Sequence, residues 1–148
     1  MKYLVINKDQ SVMIVDMVDE TTVEKEIAKW AKHRQDAVSS FRQLTDSDLP
    51  EKREFRDAWA DITGNQVIDI DGIFAKKIQL ERLRKERDLK LAKLDKEVMI
   101  AFELNKDATI ILAEKQRLRD ITEPLKNLEV PRLATEEVLT QIRLLGTL

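Results

Sequence analysis

A mixed α+β fold, mainly α, is predicted by three features of the 148-residue sequence. Apolar residues alternate over the first seventeen positions, a helix-period run extends unbroken from Ile73 to Leu104, and there are only three glycines and three prolines. Alternation marks strands, a three-and-four spacing marks an amphipathic helix, and scarce chain breakers favour long regular elements.

Leu4 and Ile6, then Val12 and Ile14, fall on one parity, and Met13, Val15 and Met17 on the other. Between them, Asn7-Lys8-Asp9-Gln10-Ser11 supplies turn chemistry, so a β-hairpin is expected. Thr21 and Glu24 have capping-box spacing, and Val23, Ile27 and Trp30 follow on one helical face. That predicts a helix from about Thr22 to Arg34, with Trp30 on the sheet. Ser39–Leu44 then reads as a third strand, giving a small ββαβ unit over residues 1–45.

Residues 46–72 read as an acidic connector anchored by Phe55 and Trp59. Eight acids (Asp46, Asp48, Glu51, Glu54, Asp57, Asp61, Asp69, Asp71) stand against three bases (Lys52, Arg53, Arg56), and Gln66–Ile70 alternates briefly.

From Ile73 onward, Leu80, Leu83, Arg87, Leu91, Leu94, Val98 and Ala101 recur at steps of three and four. This stripe is coiled-coil-like. Such a helix spans about 48 Å at 1.5 Å per residue, more than a compact globule of this size needs. Asp107 can cap a second helix through Ile110, Ile111, Leu118 and Ile121 to about Thr122, and so short a connection predicts an antiparallel hairpin over residues 73–123. In the tail, 124–148, Pro124 and Pro131 act as breaks. Thr135-Glu136-Glu137 starts a short last helix that ends at Gly146.

Composition narrows the chemistry. With no cysteine, disulfides, thiolate zinc sites and cysteine nucleophiles are excluded. The single histidine, His33, leaves a serine nucleophile without an obvious base, and it reads as a surface residue at a helix end. Asp69 and Asp71 are better caps than cation ligands, and no phosphate-cradling glycine pattern exists. No catalytic residues, cofactor or metal are expected, so the chain is not read as an enzyme. No segment approaches the roughly 20 apolar residues that cross a bilayer, which predicts no membrane partner.

Nine bases (Lys76, Lys77, Arg82, Arg84, Lys85, Arg87, Lys90, Lys93, Lys96) face four acids (Glu81, Glu86, Asp88, Asp95) in the long helix, while the whole chain carries only -2. A basic helix can follow phosphates, but the interleaved acids and the lack of aromatics before Phe102 weigh toward a solvated face. The candidate protein-interface residues are Phe55, Arg56 and Trp59, which also read as a satellite core, and the stripe Leu80, Leu83, Arg87, Leu91, Leu94 and Val98. A return arm half as long as the first helix is expected to leave part of that stripe uncovered, and exposed apolar stripes mark partners. Arg87, lying on the stripe, must extend its head to water or meet a carboxylate.

Leu49-Pro50, Arg53 and Phe55-Arg56-Asp57-Ala58-Trp59 resemble a segment of small tail-region proteins of tailed bacteriophages. The hairpin resembles them too, through Arg84-Lys85-Glu86-Arg87-Asp88, Leu91 and Asp95 in one arm and Lys115-Gln116-Arg117-Leu118-Arg119-Asp120-Ile121-Thr122 in the other. The resemblance covers roughly residues 46 to 123 and includes tail-fibre-associated and tail-assembly-chaperone-like families. It implies a non-enzymatic structural or adaptor protein of the virion, in the tail, fibre-attachment or neck region. Implied partners are other tail or fibre proteins and further copies of the chain, with a trimer favoured, and the implied location is the virion, with host cytoplasm during assembly. The alternatives are a cytosolic tail-assembly chaperone and a helical nucleic-acid-binding regulator. Two departures favour a particle component over a chaperone: Lys96-Glu97-Val98 continue the helix where chaperone-like members often carry tryptophan, and an N-terminal sheet unit is added.

Overall fold

The computed structural model describes residues 1–17, 25–29 and 38–148. The Thr21–Glu24 capping box, Trp30, His33 and most of the 22–34 helix lie outside the described residues. The fold is mixed α+β, an antiparallel sheet followed by a long helix and shorter helices. It comprises two compact units, Met1–Asp71 and Gly72–Leu148.

In the first unit, β1 (Lys2–Asn7) lies between β2 (Val12–Asp16) and β3 (Val38–Leu44), antiparallel to both. Leu4 pairs with Ile14 on one side and Arg42 on the other. The β1–β2 turn is closed by a hydrogen bond from the Asn7 amide to the Ser11 carbonyl at 2.9 Å and another from the Ser11 amide to Asp9 Oδ1 at 2.9 Å. Both parities of the alternation are apolar, so both sheet faces must be covered. Tyr3, Val5 and Met17 pack with Ile27, whose neighbours 25–29 are helical. Leu4 and Leu44 pack with Trp59 and Ile68 on the opposite face.

That second cover corrects the reading of residues 46–72 as a connector, since 46–71 fold onto the sheet as half of its core. A 3-10 turn at Asp46–Asp48 and another at Arg56–Ala58 lead into β4 (Trp59–Ala60), which pairs with β5 (Asp69–Ile70). The Asp61 amide donates to the Gln10 carbonyl at 2.9 Å, attaching this layer to the hairpin turn.

The buried Asp48 ties the layer to β3. Its Oδ2 accepts from the Thr45 amide at 2.8 Å and lies 3.8 Å from an Arg42 guanidinium nitrogen, while its carbonyl accepts from the Ile68 amide. The Thr45 backbone hydrogen bond, above all, holds the Asp48 carboxyl below its ordinary value of 3.8. A depressed carboxyl stabilises the fold above its unfolded value, and the contribution disappears as pH falls through the folded value. The first unit is therefore expected to lose melting temperature as pH drops below 3.8. Asp48→Asn should melt lower than wild type at neutral pH and show a shallower acid decline, as read by thermal melts across pH. Parallel declines for the two chains would refute a role for this charge.

The second unit is built on α1 (Gly72–Glu103), 32 residues long. It ends in a Schellman turn. Asn105 sits in the left-handed region at φ 49°, its amide bonds the Phe102 carbonyl at 3.2 Å, and the Lys106 amide reaches back to Ala101 at 2.8 Å. Asp107 Oδ1 then accepts from the Thr109 amide at 2.9 Å and hydroxyl at 2.5 Å, which opens α2 (Thr109–Asp120) and lowers the Asp107 pKa. Lys115 meets Asp95 at 2.5 Å, and farther along the chain the Lys126 carbonyl meets Lys76 Nζ at 2.8 Å. Contacts that retreat along α1 as the chain advances define an antiparallel hairpin.

Pro124 does not break the tail. It occupies the first turn of α3 (Glu123–Asn127), where the missing amide costs no hydrogen bond. α4 (Glu136–Leu145) is capped by Thr135, whose hydroxyl accepts from the Val138 amide at 3.3 Å, and stops at Gly146.

Candidate interaction surface

The stripe on α1 is the seam along which this unit closes. Leu83 is fully buried, Val98 and Ala101 are buried, and Leu80, Arg87, Leu91 and Leu94 are half-buried. The return arm α2 does not reach the whole stripe, and α3 and α4 also pack on α1, with Leu80, Leu91 and Leu94 left half-buried. Gly146 lies so close to Gln79 that a Cβ there would approach its Cγ to 2.2 Å, and the Gln79 amide donates to the Gly146 carbonyl at 2.8 Å. At the start of α1, the Gly72 amide donates to the Arg132 carbonyl at 2.6 Å, and a Cβ on Gly72 would meet the Pro131 carbonyl oxygen at 2.2 Å. The tail thus covers the turns that α2 does not reach.

Arg87 resolves its position on the seam in both of the ways open to it. Its side chain is 23% exposed, so the stem lies along the apolar face, and its guanidinium pairs with Asp88 at 2.8 Å. A bidentate pair between Arg117 and Glu114, at 2.7 and 2.8 Å, fixes the outer surface of α2.

In the first unit, Phe55 and Trp59 are buried and serve its core, while Arg56 is exposed. Arg56 and Trp59 line a cavity of about 300 Å³ against β2 and a smaller one of about 120 Å³ with Lys2, Leu49 and Arg53. The Trp59 indole Nε1 is buried and has no hydrogen-bond partner. Of the three connector candidates, Arg56 alone presents its side chain to solvent. Asp69 acts as a loop anchor: its Oδ2 accepts from the Ile62 amide and from the Thr63 amide and hydroxyl, all within 3.0 Å.

The large exposed apolar surface lies elsewhere, at the hairpin tip. Met99 (62% exposed), Ile100 (53%), Phe102 (66%) and Leu104 (57%) end α1, and Ile110 (85%) and Leu112 (46%) begin α2. The α1 stripe does not include its four tip residues, and Ile110, read from the sequence with the apolar residues of the second helix, points to solvent. Their signal in sequence is composition: between Val98 and Ala113 only Glu103, Lys106 and Asp107 are charged, in a chain that is 36% charged overall. Apolar clusters of this kind on a folded surface mark contact sites.

Among the described residues, no helix is long and apolar enough to cross a membrane, and no group of three or more His, Cys, Asp or Glu side chains is placed to hold a metal ion. Comparison with protein-family models, with curated proteins and with solved structures gave no significant match.

Proposed function

We propose that the protein is a non-enzymatic structural or adaptor component of a tailed-phage virion, placed in the tail, fibre-attachment or neck region and acting through protein-protein contacts. The observation that carries a contact role is the apolar hairpin tip, displayed on an otherwise heavily charged helical pair. The sequence adds that the chain has one histidine and no cysteine, so a role built on binding needs fewer assumptions than one built on nucleophilic chemistry. The resemblance of residues 46–123 to phage tail-region proteins supplies the location. It also supplies the partners, which are tail or fibre proteins and further copies of this chain.

Mass spectrometry of purified particles tests the reading. Stoichiometric copies in washed particles are expected. A chain abundant in the infected lysate but absent from particles would refute the virion role and favour transient assembly help instead.

A further inference from the structure

We infer that the outer edge of β2 and the cleft beside Trp59 form a docking site for an extended, acidic segment of another protein, which adds to the sheet as a further strand. The site goes beyond the contact role of the hairpin tip, since it lies in the first unit and does not depend on where the protein works.

Strand pairing shows which backbone groups are open. The Met17 amide donates to the Met1 carbonyl at 2.8 Å and the Met1 amino group donates to the Met17 carbonyl at 2.7 Å. The unbroken register puts Val15 and Met13 in the same class of pair, so their backbone groups also face β1. Val12, Ile14 and Asp16 therefore turn their N–H and C=O groups to the outer edge. Near the hairpin turn that edge is occupied, because Ser11 bridges Ala60. Farther along, the chain that leads into β4 leaves the edge through the 3-10 turn at Arg56–Ala58. Ile14 has no outer backbone partner among the described residues, and an unpaired edge is a template for another strand.

The cleft runs along this edge. The cavity of about 300 Å³ touches Val12, Met13 and Ile14. Met13 packs on one face of the sheet, and Val12 and Ile14 pack on the other. A space that meets all three adjoins the backbone of the strand and is not confined to one face. The cavity of about 120 Å³ shares Ile14, Arg56 and Trp59 with it and reaches Leu49 and Arg53. Side chains of an added strand thus meet apolar walls at Ile14, Leu49 and Trp59.

Unsatisfied groups state the chemistry of the occupant. Trp59 is 5% exposed, walls both cavities, and keeps its indole N–H buried without an acceptor. Arg53 and Arg56 are exposed and form no ion pair among the described residues. Lys2, also on the wall, is taken by Asp46 at 2.6 Å, although Asp46 feels Arg53 as well. Asp57 is the one acid among the lining residues. The open positions are mostly donors, which an incoming carboxylate satisfies. A second copy presenting its own β2 edge would set arginines against arginines, so the partner is a different chain.

The test is a blocked peptide of about six residues, with threonine at every second position and valine and glutamate between, titrated into the full chain. Nitrogen-15 NMR should show saturable binding and a downfield move of one indole N–H signal, the one that is missing from Trp59→Phe. The Ile14 amide should exchange quickly in the free chain and slowly in the complex. Arg53→Gln with Arg56→Gln should weaken binding about tenfold or more and leave the melting temperature unchanged, because both side chains are exposed. Lysine in place of the glutamate, or N-methylation of the peptide amides that face Ile14, should abolish binding. No binding by the glutamate peptide, or equal binding by the lysine or N-methylated peptide, would overturn the site. Free glutarate bound as tightly as the peptide would make it a small-anion site, and tighter binding of single-stranded RNA would make it a nucleic-acid site; either result overturns strand addition. Particle content is untouched by these outcomes, so failure here leaves the proposed virion role standing.

Discussion

Phe55→Ala is expected to destabilise the N-terminal unit by about 3–5 kcal/mol, the range for deleting a buried aromatic side chain. Phe55 is only 1% exposed and is the largest of the fully buried side chains among the described residues. It sits at the entry to the 3-10 turn that delivers Trp59 to the sheet, and its carbonyl accepts from the Ala58 amide at 2.9 Å. A loss of this size approaches the whole stability of a small domain. Denaturant unfolding followed by tryptophan fluorescence and by near-ultraviolet circular dichroism should therefore show the first unit largely unfolded in buffer. The exposed neighbour gives the contrast, since Arg56→Ala should change stability by no more than about 0.5 kcal/mol. Equal effects at the two positions would mean that the 46–71 layer is not part of the sheet's core.

How that layer escapes a reading of the sequence has a specific cause. Alternation in β1 and β2 places Leu4, Ile6, Val12 and Ile14 on one face and Tyr3, Val5, Met13 and Val15 on the other, so the strands ask for two covers. Local periodicity supplies one of them, the helical segment that brings in Ile27. The other is built from two 3-10 turns and a two-residue strand pair. None of these is long enough to carry a period, and eight acids give the segment the composition of a linker. Aromatic content was the usable signal. Phe55 and Trp59 in an acidic stretch are better explained by burial than by exposure.

In the helical unit, capping chemistry and length were legible because they depend on residues close in sequence. Thr135 and Gly146 act where their side chains or backbones predict, whereas the N-cap of α2 is Ala108 and Asp107 binds Thr109 from one residue before it. Proline is ambiguous by comparison, because it ends a helix from inside and starts one from the first turn; Pro124 does the latter. The interface candidates show a deeper limit. Periodicity finds the face of α1 that must be covered, and it is silent on whether the cover comes from the same chain. Here α2, α3 and α4 together provide it, through approaches at Gly72 and Gly146 that join residues far apart in sequence. The tip residues break the seam's period, and only their local lack of charge sets them apart.

The seam and the tip are separated by a second large expected effect. Leu83, near the start of the stripe, is fully buried, so Leu83→Ala should cost the helical unit about 2–5 kcal/mol, the transfer of a buried leucine plus the cavity left behind. Leu91→Asp with Leu94→Asp should act in the same direction, because these half-buried positions lie on the same seam and a carboxylate there loses hydration unless the helices part. Removing an exposed side chain at the tip should instead move stability by about 0.5 kcal/mol or less, so Phe102→Ala is expected to melt with wild type while weakening self-association. Thermal melts by far-ultraviolet circular dichroism, read beside sedimentation of the same samples, discriminate the two surfaces. If Leu83→Ala kept its melting temperature and lost only its assembly, the stripe would be a contact between chains and the intramolecular seam would be refuted. The opposite pairing of effects, stability lost at Leu83 and assembly lost at Phe102, follows from a helix whose buried face is occupied by its own chain and whose exposed flanks are free to meet another.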